Sequence, residues 1–163
     1  MKTILIPTDF TIESLNTVKG AFKRDSQEKV NLILLYAIGM SDSITDLLFF
    51  SKEKFIASQQ SGKFAEAFQI LQNTYDSQIN SFRVELFSGY TQNAFANFLE
   101  ANQVDEVFIP KDYTLKLQHK RSFNPLPFLK KCKLPKTEIS WNEGPFVHEK
   151  DHVSELFLVS NHA

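Results

Sequence analysis

Glycine is scarce in this sequence. There are five, whereas average usage near 7% would give about eleven. They stand at Gly20, Gly39, Gly62, Gly89 and Gly144, so residues 90–143 contain none. Cysteine is scarcer still: the single Cys132 excludes an internal disulfide and a cysteine-based zinc cage, and suits a reducing compartment. No apolar run approaches the roughly 20 residues needed to cross a bilayer. The start, Met1 to Pro7, turns polar too quickly for a signal peptide. Net charge is nearly absent too, with 18 Lys and Arg against 19 Asp and Glu. That balance argues against a generally basic nucleic-acid binder. These shortages leave a soluble cytoplasmic domain with no membrane association as the expectation.

What is abundant is phenylalanine, sixteen residues in a chain of 163. Its spacing marks elements. Thr3 to Ile6 is a short apolar run closed by Pro7 and predicts a buried strand. Ile12, Leu15, Val18 and Phe22 then follow helical spacing, with Thr11 as the N-cap. Val30 to Ala37 is too continuous and β-branched for a surface helix and predicts a second buried strand. After a polar stretch from Gly39 to Asp46, a long helical region begins, in which Phe64, Phe68, Leu71 and Tyr75 share one face. The block Leu47 to Phe50 is read as core, with a dimer contact as the alternative. Phe82 to Phe87 alternates as a half-exposed strand, Phe95, Phe98 and Leu99 mark a helix, and Val104 to Ile109 a strand ended by Pro110. Pro125 opens a short last helix, and Thr137 to Trp141 alternates again.

The order β-α-β-α-β-α-β-α-β predicts an α/β fold, an open, doubly wound parallel sheet of five strands with helices on both faces. The continuous first and second strands belong at its centre, and the alternating third and fifth at its edges. The domain occupies residues 1–141 and an acidic tail residues 142–163, where Glu143, Glu149, Asp151 and Glu155 outnumber Lys150.

The opening Lys2-Thr3-Ile4-Leu5-Ile6-Pro7-Thr8-Asp9-Phe10-Thr11-Ile12-Glu13-Ser14 resembles the start of a universal stress protein domain, in which a strand ends in an acidic residue before a Ser/Thr-rich helix start. Lys133-Leu134-Pro135, ahead of the last strand, is similar to the family's Cys-Pro turn. The resemblance covers about the first 140 residues. It implies strand order 3-2-1-4-5, a homodimer formed through the last strand, and at Asp9 a contact to the base and ribose of a nucleotide.

The family's phosphate cradle is a Gly-x2-Gly-x9-Gly-Ser/Thr constellation after the fourth strand, whose backbone N–H groups close around ATP ahead of a helix. Here that stretch begins Ile109-Pro110-Lys111-Asp112-Tyr113 and ends Ser122-Phe123, with no glycine at any of the three positions. Pro110 lacks an N–H, and Tyr113 and Phe123 add bulk where backbone must approach. ATP binding in the family's manner is therefore not expected, and no cofactor is assigned. Asp9 then has a structural reading beside the ligand-binding one, because Asp stabilises N-terminal helix N–H groups.

The glycine-free interval is also the basic one. Residues 111–136 carry eight Lys and Arg against the single acid Asp112. Ligands of open parallel sheets lie outside the carboxyl ends of the strands, where strand order reverses. In that topology Lys111, Lys116, Lys120 and Arg121 would join Asp9 at the crevice and hold a small anionic ligand by side-chain charge. The competing reading is a solvated basic loop. Nucleic acid is disfavoured, because Tyr113 and Phe123 form no stacking module. His148 and His152 at i, i+4 lack a third metal ligand, Cys132 packs beside the last helix without a paired base, and no Gly-x-Ser-x-Gly elbow is present.

The sequence therefore predicts a non-catalytic, dimeric stress-response or regulatory module, with Lys136, Thr137, Glu138, Ile139, Ser140 and Trp141 at the dimer edge, and open to a protein partner. The alternative is a nucleotide- or anion-binding domain using Asp9 and the loop 111–121. The acidic tail is expected to cover part of the crevice or of the edge strand.

Overall fold

The structure is a computed structural model that describes residues 1–24 and 28–140. Trp141, the tail over 142–163 and its His148 and His152 lie outside the described residues, as do the expectations placed on them. Five strands, β1 (Lys2–Pro7), β2 (Val30–Ala37), β3 (Ile79–Phe87), β4 (Glu106–Pro110) and β5 (Lys136–Ile139), form one sheet of order β3-β2-β1-β4-β5. Every pairing is parallel, with Ile4 opposite Leu32 on one side of β1 and opposite Glu106 on the other. The sheet is the expected one. The continuous apolar strands β1 and β2 are covered on both faces and lie inside, while the alternating β3 and β5 lie at the edges.

Alternate residues of each central strand feed opposite cores. Ile4, Ile6, Leu32, Leu34 and Tyr36 pack beneath helices α1 (Leu15–Arg24) and α4 (Gly62–Thr74). Leu5, Ile33, Leu35, Val107 and Ile109 pack beneath α5 (Gln92–Ala101) and α6 (Leu126–Lys131). Most of the phenylalanines are spent here: Phe64 and Phe95 are almost fully buried, each burial contributing about 2–3 kcal/mol by transfer. Cys132 is buried at the end of α6, packed as expected.

The region between β2 and β3 departs from the expected long helix. It is broken into α2 (Ile44–Leu48), α3 (Lys52–Gln59) and α4. Ser43, Ser51 and Ser61 each accept an N–H three residues on, from Asp46, Lys54 and Phe64, so three serines start three helices. The break at Ser51 corrects the core reading of Leu47 to Phe50. α2 is a single turn between two caps with no buried residue, and Leu48 and Phe49 are 75% and 82% exposed.

Two of the glycines, Gly20 and Gly89, serve close approach. A Cβ at Gly20 would lie 2.4 Å from Ile139 Cγ2, so this residue lets α1 settle onto β5. At Gly89 it would lie 2.7 Å from the Ala94 Cβ and 2.9 Å from the Phe87 ring. The positive-φ positions among the described residues are instead held by Phe10 (φ 62°) and Gln103 (φ 55°).

Candidate functional site

The carboxyl end of β1 runs through Thr8 into Asp9, and the turn that follows is closed by its own side chains. The Phe10 N–H donates to Thr8 Oγ1 at 3.1 Å and the Ser14 N–H to Thr11 Oγ1 at 3.2 Å. Ser14 Oγ donates to the Thr11 carbonyl at 2.7 Å. Phe10 adopts the left-handed region, which costs an L residue roughly 1–2 kcal/mol. Its ring stacks on Tyr36 at 5.0 Å between centroids and meets Phe64 edge-on at 5.7 Å, which offsets that cost. The Thr11 hydroxyl caps this turn and not α1 itself, which begins only at Leu15, later than the N-cap expected at Thr11 implies.

Asp9 is buried, 7% exposed, and both of its carboxylate oxygens are occupied. Oδ1 accepts the Thr11 N–H at 3.0 Å and the Thr11 hydroxyl at 2.5 Å. Oδ2 accepts the Lys116 N–H at 2.7 Å and the Tyr113 hydroxyl. Four protein donors thus surround the carboxylate. Burial, and then the charge of Asp9, raise the Tyr113 phenol far above the ordinary tyrosine range, so it stays a donor.

The segment after β4 fills the crevice. Tyr113 and Leu115 are buried, and Leu117 packs against the same cluster. This alternation is the strand-like signal of a half-buried extended segment, set within residues whose charge makes the stretch look solvated. Farther on, the chain is zipped to the end of β2. Ile38 and Ser122 form an antiparallel bridge, the Gly39 N–H donates to the Arg121 carbonyl at 2.8 Å, and the Phe123 N–H to the Ala37 carbonyl at 3.1 Å. The Tyr36 hydroxyl bonds the Ser122 side chain and the His119 backbone, and burial raises its pKa.

The four cations proposed for an anion therefore diverge. The Lys116 amine bonds Glu13 Oε1 at 2.8 Å, and that carboxylate is itself buried. Lys111 uses its backbone N–H on the Ile139 carbonyl, at 2.9 Å, and its side chain is exposed, as is that of Lys120. Arg121 faces a separate cavity of about 600 Å³ at the carboxyl ends of β2 and β3. Glu13, as the partner of a lysine 103 positions later, is a site residue that no local sequence pattern marks. It lies in the buried turn between β1 and α1. A further groove of about 590 Å³ runs between α5 and α6, beside Leu99, Cys132 and Lys133. Asp9 lines neither space.

At the last strand, Lys136 donates to the Cys132 and Leu134 carbonyls, at 2.6 and 3.3 Å, and Thr137 Oγ1 to Glu106 at 3.2 Å. Glu138 is exposed, Ile139 is buried under α1, and Ser140 Oγ donates to Asp112 at 2.7 Å. Among the described residues no group of three or more His, Cys, Asp or Glu is placed to hold a metal, and no helix is long and apolar enough to cross a membrane.

A doubly wound sheet of order 3-2-1-4-5, with an acidic residue at the end of the first strand, is the fold of universal stress proteins, as the opening residues imply. The chain is similar in structure to universal stress protein UspA from Lactobacillus plantarum, with a TM-score of 0.53, 9% identity, and coverage of 85% of this chain and 97% of that one. It is also similar to the hypothetical protein PH0823, with a TM-score of 0.52, 21% identity and coverage of 85% and 95%. The hypothetical protein MJ0577 matches with a TM-score of 0.50, 16% identity and the same coverage. No protein-family model matches the sequence, and no curated protein does.

Proposed function

We propose that this chain is a cytoplasmic, non-catalytic stress-response or regulatory module that works through protein contacts and does not hold ATP at the crevice beside Asp9. One observation carries the reading: the Asp9 carboxylate is saturated by Thr11, Tyr113 and the Lys116 backbone, inside space filled by Tyr113 and Leu115. A nucleotide would have to break two charge-assisted hydrogen bonds, each worth roughly 1.5–3 kcal/mol, and expel a buried ring before making any contact of its own. The stress-response part follows the likeness of fold to the L. plantarum protein.

The module acts as a homodimer through the outer edge of β5, with Lys136, Thr137, Glu138, Ile139, Ser140 and Trp141 at the contact. The position of β5 as the last strand in the sheet supports this, because sheet edges are association sites.

Thermal unfolding with ATP, AMP, cyclic nucleotides and phosphate tests the first part. A flat midpoint across the panel is expected, and a rise that grows with nucleotide concentration would refute it. Sedimentation at micromolar concentration tests the second, with a monomer counting against the dimer.

A further inference from the structure

The filled crevice beside Asp9 leaves Arg121 lining two other spaces, a small one of about 170 Å³ beside Phe55 and His119 and a cavity of about 600 Å³ at the ends of β2 and β3. The larger volume lies within the roughly 300–1,000 Å³ of small-molecule sites. It is lined by Phe123 and Phe128, whose rings meet at 77° with centroids 6.3 Å apart and which both rest against Phe87. Two aromatic surfaces braced from behind form a rigid apolar wall. Opposite runs the backbone of Gly39. A Cβ there would stand in ordinary contact, 3.5 Å from the Tyr90 hydroxyl and 3.6 Å from the Arg121 carbonyl, so a branched side chain at this position would project among the lining groups.

The polar side chains of the lining are Ser41, Asp42, Tyr90 and Arg121, of which Asp42 and Arg121 carry charge. The backbone of Arg121 is pinned, its carbonyl accepting from Gly39 at 2.8 Å and its N–H donating to His119 Nδ1 at 3.1 Å. Its guanidinium makes no hydrogen bond or ion pair among the described residues. A pinned backbone under a disengaged planar cation is suited to a carboxylate, which it can meet with two parallel N–H donors. Asp42 lines the same space and brings negative charge. That charge repels a second anionic group on the ligand and accepts a hydrogen bond from a hydroxyl or amine.

We propose that this cavity binds a planar aromatic monocarboxylate. Its carboxylate meets Arg121, its ring lies against Phe123 and Phe128, and a ring hydroxyl or amine reaches Asp42. The site is separate from the crevice at Asp9 and selects against the multiple charges of a nucleotide polyphosphate.

The probe is 4-hydroxybenzoate, titrated against the full chain by calorimetry, with saturation-transfer NMR reporting which protons touch the protein. Cyclohexanecarboxylate removes the flat ring, 4-hydroxybenzyl alcohol the charge, and terephthalate adds a second charge. Each is expected to bind about tenfold more weakly or not at all, the loss of roughly one strong interaction. Arg121→Ala is expected to weaken 4-hydroxybenzoate about tenfold with an unchanged thermal midpoint, and Gly39→Val to block it by projecting among the lining groups. Lys120→Ala, the neighbouring exposed cation, is expected to leave it within about twofold. Absence of binding at millimolar concentration overturns the proposal. So does equal binding of cyclohexanecarboxylate, or binding to Arg121→Ala equal to that of the parent. A nucleotide that stabilised the chain in the thermal panel would overturn the proposed function and leave this site standing.

Discussion

The hydroxyl of Tyr113 donates to the carboxylate of Asp9, a residue 104 positions earlier in the chain, where both are buried. This contact joins the end of β1 to the segment after β4 and closes the crevice between them. Tyr113→Phe keeps the ring and removes the donor. It is expected to lower stability by about 1.5–3 kcal/mol, measured by denaturant unfolding at neutral pH. A loss below about 0.5 kcal/mol would mean that the bond does not hold the crevice shut.

The same pair sets an alkaline limit. The folded phenol keeps its proton well above its ordinary value of 10.0, whereas the unfolded phenol releases it there. Above pH 10 the unfolded state therefore binds fewer protons, and stability falls as pH rises. Tyr36 and Tyr75, both raised by burial, add to the fall. Chemical unfolding between pH 9 and 11 is expected to show a shallower decline in Tyr113→Phe than in the parent.

Gly20 marks the tightest contact between a helix and an edge strand. Gly20→Val would place methyl groups where Ile139 Cγ2 already lies 2.4 Å from an ideal Cβ. Overpacking of this kind costs about 1–3 kcal/mol, offset slightly by the better helix propensity of any side chain over glycine. Ile139→Ala in the same chain is expected to recover part of that loss, and a double-mutant cycle measures the coupling.

Gln103 ends α5 in a Schellman turn, with its N–H on the Glu100 carbonyl at 3.0 Å and that of Val104 on the Leu99 carbonyl at 3.0 Å. The position has φ 55°, where glycine carries no Cβ penalty. Gln103→Gly is expected to raise stability by about 0.5–1 kcal/mol, the relief being partly cancelled by the added freedom of the unfolded chain.

Leu48, the last residue of α2, and Phe49, its C-cap, are 75% and 82% exposed. Phe49→Ser is expected to leave unfolding stability within about 0.5 kcal/mol, whereas Phe64→Ser, from the core beneath α4, should unfold the protein or cost several kcal/mol.

The sheet was legible because strands buried on both faces are written as unbroken apolar runs, as in Leu32 to Ala37, and half-buried ones as alternation. Strand order came with the resemblance at Lys2 to Ser14. The breaks at Ser51 and Ser61 were harder to read, since a serine inside a polar helix face and a serine capping a new helix look alike without the φ/ψ change. The closing of the crevice was visible only in outline. The lost glycines and the bulk of Tyr113 pointed to it, but the inward turn of Tyr113, Leu115 and Leu117 is masked by the lysines between and around them. Glu13 and the divergence of Arg121 from Asp9 depend on contacts over 80 residues away or more, which no local pattern encodes.

The short ladder of Ile38 with Ser122, flanked by Gly39 to Arg121 and Phe123 to Ala37, crosses over the end of β1. It ties the half of the sheet holding β2 and β3 to the chain leaving β4. Within the sheet itself these halves are joined only through β1, which pairs with β2 on one side and β4 on the other. Here the ladder adds a second tie between them, so the amides at Gly39 and Phe123 are expected to exchange slowly in hydrogen-exchange measurements.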